Sequence, residues 1–320
     1  MSESKQPKVL VVTDRVDPQL EMLRAVPHAL ALDDREVADG ARDATVILHW
    51  SGTRDRLRAA FLACGQVQWV HSRWAGVDSL LFPELVESDV IFTNGSGVFS
   101  QSLGEFALAA ILYFAKDFPR VLRNQRAARW EPFDVDEIDR QTVGIIGYGD
   151  IGRAVARRVR AMGMQVLALK RHVPEAPDPL VEEFYPPDAM NEMLARCDYV
   201  VVTAPLTKET RHMVSEEEFA AMKASAVIIN VGRGPVIDQA AMGQALRAGK
   251  IRGAGLDVFE EEPLAAGDPL WSMENVLVSP HTADHTRTWI DDAMRYFLRQ
   301  YARFAQGEPL DNVVNKRLGY

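Results

Sequence analysis

Cysteine is nearly missing from this chain: Cys64 and Cys197 are the two among 320 residues. Each sits in an apolar setting, so a disulfide framework or a cysteine-based zinc site is excluded, and a cytoplasmic protein with two small buried thiols is expected. Long hydrophobic runs are missing too. The longest, 106–115, is about half of the roughly 20 residues that a membrane helix needs, and it reads as a buried helix. The opening MSESKQPKVLVV lacks the basic, apolar and small-residue succession of a signal peptide. Positive charge is in deficit, with 36 Lys and Arg against 45 Asp and Glu and a net charge of −9, which argues against nucleic acid or an anionic membrane as a partner. An anionic ligand would have to meet local arginines. There is no internal repeat, and the carboxylates show no metal-ligand spacing, so no metal is expected. What is present is 47% hydrophobic residues in a chain long enough for two domains.

The stretch TVGIIGYGDIGR at 142–153 organises the rest. An apolar strand at 142–146 runs into glycines at Gly147, Gly149 and Gly152, and an amphipathic helical run follows, closed by Gly163. In such a unit Gly147 allows the tight turn, Gly149 lets backbone approach a pyrophosphate, and Gly152 lets the helix pack closely on its strand. The N–H groups at the helix start, at Asp150 and Ile151, would face the phosphates. The same spacing also serves a turn that only joins strand to helix. The strand before it and the helix after it favour the dinucleotide reading.

Around this unit apolar strands alternate with helical runs, which requires parallel sheets covered by helices. The expected fold is α/β, with two Rossmann-like domains and the active site in the cleft between them. Strands are expected at 8–13, 45–50, 68–72 and 90–93, with a helix capped by Asp17 and begun by Pro18 that runs through Ala25. After the glycine turn they are expected at 165–169, 199–203, 227–231, 253–258 and 276–279. Ser215 with Glu218, and Asp238, mark helix starts, and Gly249 an end. The proline-rich 174–187 reads as a surface loop. The helical region 101–129, interrupted near Pro119, links the domains; its flanks suit a dimer seam or internal packing, and a homodimer is the expectation. A helical run after His281 returns to the first domain. The substrate domain is therefore 1–101 with 285–320, and the dinucleotide domain 102–284.

Three polar residues follow three consecutive strands of the second domain: Arg233 after AVIINV, Glu262 after GAGLDV and His281 after NVLVSP. In an open parallel sheet ligands bind outside the carboxyl ends of the strands, so the three can converge where the glycine turn points. Taken singly, each has a plainer explanation as a loop or surface residue. Taken with the glycine turn, they point to chemistry.

These residues lie in motifs that resemble the D-2-hydroxyacid dehydrogenase family over nearly the whole chain. The motifs are WAGVD at 74–78, TNGSGVFSQSLGEFAL at 93–108, GYGDIGR, TAPLTKETRHMV at 203–214, INVGRGPVID at 229–238, LDVFEEEPL at 256–264 and SPHTA at 279–283. The resemblance implies a catalytic set of Arg233, Glu262 and His281, with His285 the nearby histidine outside the motif. It implies a guanidinium gripping a substrate carboxylate and polarising the keto oxygen, and a histidine that donates a proton as hydride arrives. It also implies that the backbone of Ala75, Gly76 and Val77 binds the substrate carboxylate, and that Pro205, Thr210, Val231, Asp257 and Ala283 line the cofactor. Trp50, Arg73 and Trp74 are weaker candidates for the pocket. Asp284 stands where the family often has a small residue, which bears on substrate size. The implied activity is hydride transfer between NADP(H) or NAD(H) and a small 2-keto or D-2-hydroxy acid of the glyoxylate or hydroxypyruvate type. The alternatives are a phosphoglycerate dehydrogenase-like enzyme and a dinucleotide-sensing corepressor-like protein.

The glycine turn ordinarily predicts an Asp or Glu about 20 residues on, which accepts the ribose hydroxyls of NAD. Lys170 and Arg171 occupy that place. Two cations there attract a 2′-phosphate, so NADP(H) is the expected preference, with NAD(H) possible.

Overall fold

The computed structural model describes residues 6–320, so the first five residues of the expected substrate domain lie outside the described residues. The chain divides into two compact units, one comprising the chain up to Phe99 with Arg287–Tyr320, the other Ser100–Thr286. Both are α/β.

The first unit is a five-stranded parallel sheet, β1 Val9–Val12, β2 His28–Ala31, β3 Val46–His49, β4 Trp69–Ser72 and β5 Ile91–Thr93, in the order β2-β1-β3-β4-β5. Its helices are α1 Asp34–Gly40, α2 Arg54–Ala63 and α3 Pro83–Glu87. β1, β3 and β4 are buried along their length, as expected of strands covered on both faces. Leu10, Ile47, Leu57, Val70 and Leu85 form the core, each side chain contributing about 2 kcal/mol by burial. The long C-terminal helix Trp289–Ala305 belongs to this unit, and its Phe297 stacks on Trp69 at 5.4 Å.

The second unit carries β6 Thr142–Ile146, β7 Gln165–Leu169, β8 Glu183–Tyr185, β9 Tyr199–Val202, β10 Val227–Asn230, β11 Gly253–Leu256 and β12 Val276–Val278. All pair in parallel in the order β12-β11-β10-β9-β6-β7-β8. Strand order reverses between β6 and β9, the place where open sheets of this kind hold their ligands. The helices are α4 Ser100–Ala115, α5 Phe118–Arg126, α6 Asp150–Ala161, α7 Met190–Leu194, α8 Glu216–Ala221 and α9 Gln239–Arg247. Gly104 lets α4 lie close to α6, since a Cβ there would stand 3.0 Å from the Ala154 carbonyl carbon. The expected break near Pro119 is real: α4 and α5 part at Asp117, whose φ of 47° is left-handed, and Asp117 then accepts the Arg120 N–H.

Three expectations need correction. Pro18 starts a 3-10 helix, Pro18–Leu23, that ends before Ala25, and Asp17 does not cap it. The Asp17 carboxylate instead accepts hydrogen bonds from the Trp50 indole at 2.8 Å and the Arg15 side chain at 2.9 Å. β2 lies in a stretch without an expected strand, and β8 falls inside the expected loop 174–187. Both are short edge strands, partly exposed, without the apolar run that marks a central strand. Cys64 and Cys197 are free, and burial pushes their thiols up to about 11 and about 12. His49 and His71 are buried at the ends of β3 and β4, and desolvation pulls them down to about 4 and about 3, so both are neutral structural groups. Among the described residues no helix is long and apolar enough to cross a membrane, and no group of acidic, histidine or cysteine side chains has the arrangement of a metal site.

Candidate active site

The glycine turn sits where β6 meets α6, at the reversal of strand order. Gly147 has φ 91°, and a Cβ there would stand 2.6 Å from the Ala204 backbone, so neither the conformation nor the space admits a side chain. A Cβ on Gly152 would come within 2.7 Å of the Gly147 carbonyl oxygen, which explains the close approach of α6 to its own turn. Gly149 differs: a Cβ there would meet nothing within 4 Å, so the turn opens onto free space at the start of α6. Asp150 and Gly149 are exposed and Ile151 half-buried. Thr203, after β9, ties the turn down by donating its hydroxyl to the Gly147 carbonyl.

Arg233, Glu262 and His281 follow β10, β11 and β12 at the same edge of the sheet. Glu262 reaches two donors: its Oε2 lies 2.7 Å from Nδ1 of His281, and its Oε1 accepts the Phe259 N–H at 2.9 Å. Burial acts to raise the Glu262 carboxyl, but the His281 contact, the Phe259 N–H and the nearby Arg233 charge together hold it below the usual range. The Glu262 hydrogen bond raises the His281 imidazole above its ordinary value, against burial and the Arg233 charge. Arg233 is thus close enough to act on both partners. The Glu262 contact occupies Nδ1 and leaves Nε2 as the ring nitrogen that can exchange a proton with a substrate. The Glu262–Pro263 peptide bond is cis.

Two buried polar groups that the sequence reading missed, or assigned only to the cofactor, shape these loops. Asn230, 1% exposed at the end of β10, accepts the Gly232 N–H at 3.0 Å and donates to the Arg233 carbonyl at 3.0 Å. It fixes the backbone that presents Arg233. Asp257, 1% exposed, accepts from the Ser279 hydroxyl at 2.6 Å and from the N–H groups of Thr282 and Ala283 at 3.0 and 3.1 Å. Those three bonds hold the loop in which His281 sits at φ 53°, a left-handed conformation that costs a non-glycine residue about 1 kcal/mol or more. Ser102 adds a hydroxyl bond to the Ala283 carbonyl at 2.5 Å. A polar residue closing an apolar strand, as in VIIN and VLVS, is the signal that could have found Asn230 and Ser279.

Of the other expected cofactor residues, Val231 and Ala283 are buried, and Thr210 donates to the Pro205 carbonyl at 2.6 Å. Lys170 is half-buried at the end of β7, with its ammonium 6.0 Å from the Tyr148 ring. Arg171 is exposed and pairs with Glu209 at 3.6 Å. Asp284 is half-buried, burial raises its carboxyl, and His285 lies 3.6 Å from it.

In the first unit, no hydrogen bond within the described residues uses the N–H of Ala75, Gly76 or Val77. Their loop is pinned from behind, where Asn94 donates to the Ala75 carbonyl at 2.6 Å and Gly95 to that of Trp74 at 3.0 Å. Arg73 is 2% exposed, with its guanidinium 4.8, 4.3 and 5.3 Å from the rings of Trp50, Trp74 and Trp289 and 3.5 Å from Asp17. It is buried against this loop, and its Nε makes no hydrogen bond within the described residues.

A glycine turn with open space at Gly149, and a histidine hydrogen-bonded to a glutamate after a later strand of the same sheet, belong to a chain of the nicotinamide-linked oxidoreductase class. The chain belongs to the D-isomer specific 2-hydroxyacid dehydrogenase family, whose NAD binding domain matches residues 108–283. A glyoxylate reductase from Thermococcus onnurineus is 33% identical over 98% of this chain and 97% of its own length. A D-3-phosphoglycerate dehydrogenase from Methanocaldococcus jannaschii is 32% identical over 92% of this chain, which spans 56% of that longer relative. Among solved structures, an NADPH-dependent glyoxylate/hydroxypyruvate reductase from Sinorhizobium meliloti, in complex with NADP and sulfate, aligns with a TM-score of 0.85. It is 26% identical, with 98% of this chain and 100% of that one covered. The family resemblance of the sequence motifs is thereby borne out.

Proposed function

We propose that the protein is a reductase of small 2-keto acids, of the glyoxylate or hydroxypyruvate type, with a preference for NADP(H). The observation that carries the reading is the His281–Glu262 pair at 2.7 Å, set beside Arg233 at the edge of the sheet where the glycine turn opens. The chain's own residues fit a dinucleotide: the open space at Gly149 admits a pyrophosphate, and Lys170 supplies a cation where an NAD-selective site would carry a carboxylate. When bound, the nicotinamide supplies the hydride. Arg233 binds and orients the substrate carboxylate through two N–H groups and polarises the keto oxygen. In the first unit the N–H groups of Ala75, Gly76 and Val77, which make no hydrogen bond among the described residues, are available to a substrate carboxylate. Protonated His281 donates from Nε2 to the oxygen as negative charge develops there, and Glu262 keeps the imidazolium available.

Steady-state rates with glyoxylate, hydroxypyruvate, pyruvate and bulkier keto acids, each with NADPH and NADH, test the assignment. His281→Ala should lower kcat by about 10²- to 10⁴-fold, the usual worth of a positioned acid. Arg233→Ala should lower kcat/KM by about 10²-fold through loss of a charged hydrogen-bonded contact. Normal turnover in both variants would end the proposal. The phosphoglycerate dehydrogenase relative favours one second reading, an enzyme acting on a phosphorylated hydroxy acid, and 3-phosphoglycerate belongs in the same panel. A homodimer is part of the proposal, supported by the exposed apolar side chains of Phe118, Val121 and Leu122 on α5 and of Trp130 beyond it. A cytoplasmic location agrees with the two buried free thiols.

A further inference from the structure

The second unit contains a cavity of about 380 Å³ between the start of α6 and the loop after β7, lined in part by Tyr148, Gly149, Asp150, Arg153, Lys170 and Asp178. Two cations, Lys170 and Arg153, face it, and they are not equally available. Arg153 donates through Nη1 to Oδ2 of Asp178, and the same oxygen accepts the Tyr148 hydroxyl at 3.1 Å. The other oxygen, Oδ1, accepts the Leu180 N–H at 3.0 Å and so holds the turn of its own loop. The Asp178 side chain is 11% exposed, whereas that of Arg153 is 47% exposed. A carboxylate held by three donors and largely withdrawn from water does not let go of its arginine easily, because its partners would lose charge-assisted bonds. Lys170 makes no ion pair among the described residues; its ammonium stands 6.0 Å from the centre of the Tyr148 ring. Burial, with the adjacent Asp178, pushes the Tyr148 phenol up to about 12, so it remains a neutral donor.

We propose that Asp178 is a specificity-determining residue for the cofactor: it withholds Arg153 from a 2′-phosphate at this cavity and so moderates the preference for NADP(H) that Lys170 creates. This rests on the reading that the dinucleotide adenosine binds beside Gly149 and Lys170. Asp178 acts through Arg153 and is a positioning residue. Its effect should therefore appear in the discrimination between ligands with and without a 2′-phosphate, which a purely structural role would not move.

The test is calorimetric binding of adenosine 2′,5′-bisphosphate and of 5′-AMP to the full chain. Asp178→Asn keeps an acceptor for the Leu180 N–H while removing the charge. It should tighten the bisphosphate about tenfold, the worth of one freed charge-assisted contact, and leave 5′-AMP within about twofold. Arg153→Gln should change neither ligand in the wild-type background and should abolish the gain in the Asp178→Asn background. An unchanged ratio of the two affinities in Asp178→Asn overturns the proposal. If that variant folds poorly, Arg153→Gln alone still decides, because a threefold or greater loss of bisphosphate affinity would mean that Arg153 already binds the phosphate. Lys170→Ala separates the two ideas. If it leaves the ratio unchanged, the NADP(H) reading fails, while Asp178→Asn still decides the role of Asp178 by its own ratio.

Discussion

At the scale of single residues the proposed chemistry turns on the proton of His281. Its pKa is raised by the Glu262 hydrogen bond, with burial opposing, so the imidazolium persists to higher pH than in an isolated histidine. The proposed reduction needs the protonated ring. The rate should be flat on the acid side and fall as pH rises through the raised pKa, while the oxidative direction, which needs the neutral ring, should rise over the same window. Glu262→Gln removes the chief cause of the shift and should move the falling limb to lower pH, read from kcat/KM profiles. An unmoved limb would show that Glu262 does not set the acid. The same linkage gives a stability contribution present below the unfolded-state pKa of the histidine and lost as pH rises through the folded one. The side chains are 44% and 35% exposed, so screening keeps that contribution small. Asn230 makes a different residue-scale prediction. Asn230→Ala leaves the buried Gly232 N–H unpaired and should cost about 1–3 kcal/mol of stability. Because it loosens the Arg233 loop, it should also raise KM for the keto acid while 5′-AMP binding is unchanged.

At the scale of elements, what was legible in the sequence follows from which elements are buried on both faces. β1, β3, β6, β9 and β10 are runs of Val, Ile and Leu because both faces of a parallel sheet are covered, and each lies within an expected strand. β2 and β8 were not legible. HALA and EFY are edge strands three or four residues long, with one side toward solvent, and nothing in their composition separates them from loop. Asp17 and Pro18 mark the helix start correctly, but the helix is a short 3-10 one without a side-chain cap, because the Trp50 indole, 33 residues away in the chain, takes the Asp17 carboxylate. The loop residues of the site were visible through motifs, but the bonds that shape those loops, at Asn230 and Ser279, exist only between elements. The glycine turn was legible because its constraint is local. That constraint yields a prediction: Gly147→Ala should destabilise the protein by about 1–3 kcal/mol or more, since it combines a left-handed φ with a Cβ 2.6 Å from Ala204 backbone. Thermal melting would register the loss. A variant melting like the wild type would show that the turn can relax.

At the scale of the whole molecule the proposed homodimer requires a surface on which two copies can meet. Trp130 is 97% exposed and Phe118, Val121 and Leu122 are 38–43% exposed on the preceding helix, side chains that soluble monomers rarely collect in one region. The chain carries a net charge of −9, so self-association would have to occur through a surface where that repulsion is locally absent. Arg120, Arg123 and Arg126 share α5 with those apolar side chains and relieve the charge there. If this surface is the seam of the proposed homodimer, sedimentation at micromolar concentration should give about twice the 35.7 kDa chain mass. Trp130→Ala removes a large aromatic contact of the kind that dominates interfaces, and should weaken the dimer by about 2 kcal/mol, or roughly thirtyfold in dissociation constant. The first unit's sheet lies outside the change, so the far-ultraviolet spectrum should be the same. A wild-type chain that sediments as a monomer throughout, or a variant that dimerises as tightly as the wild type, would require another role for this face.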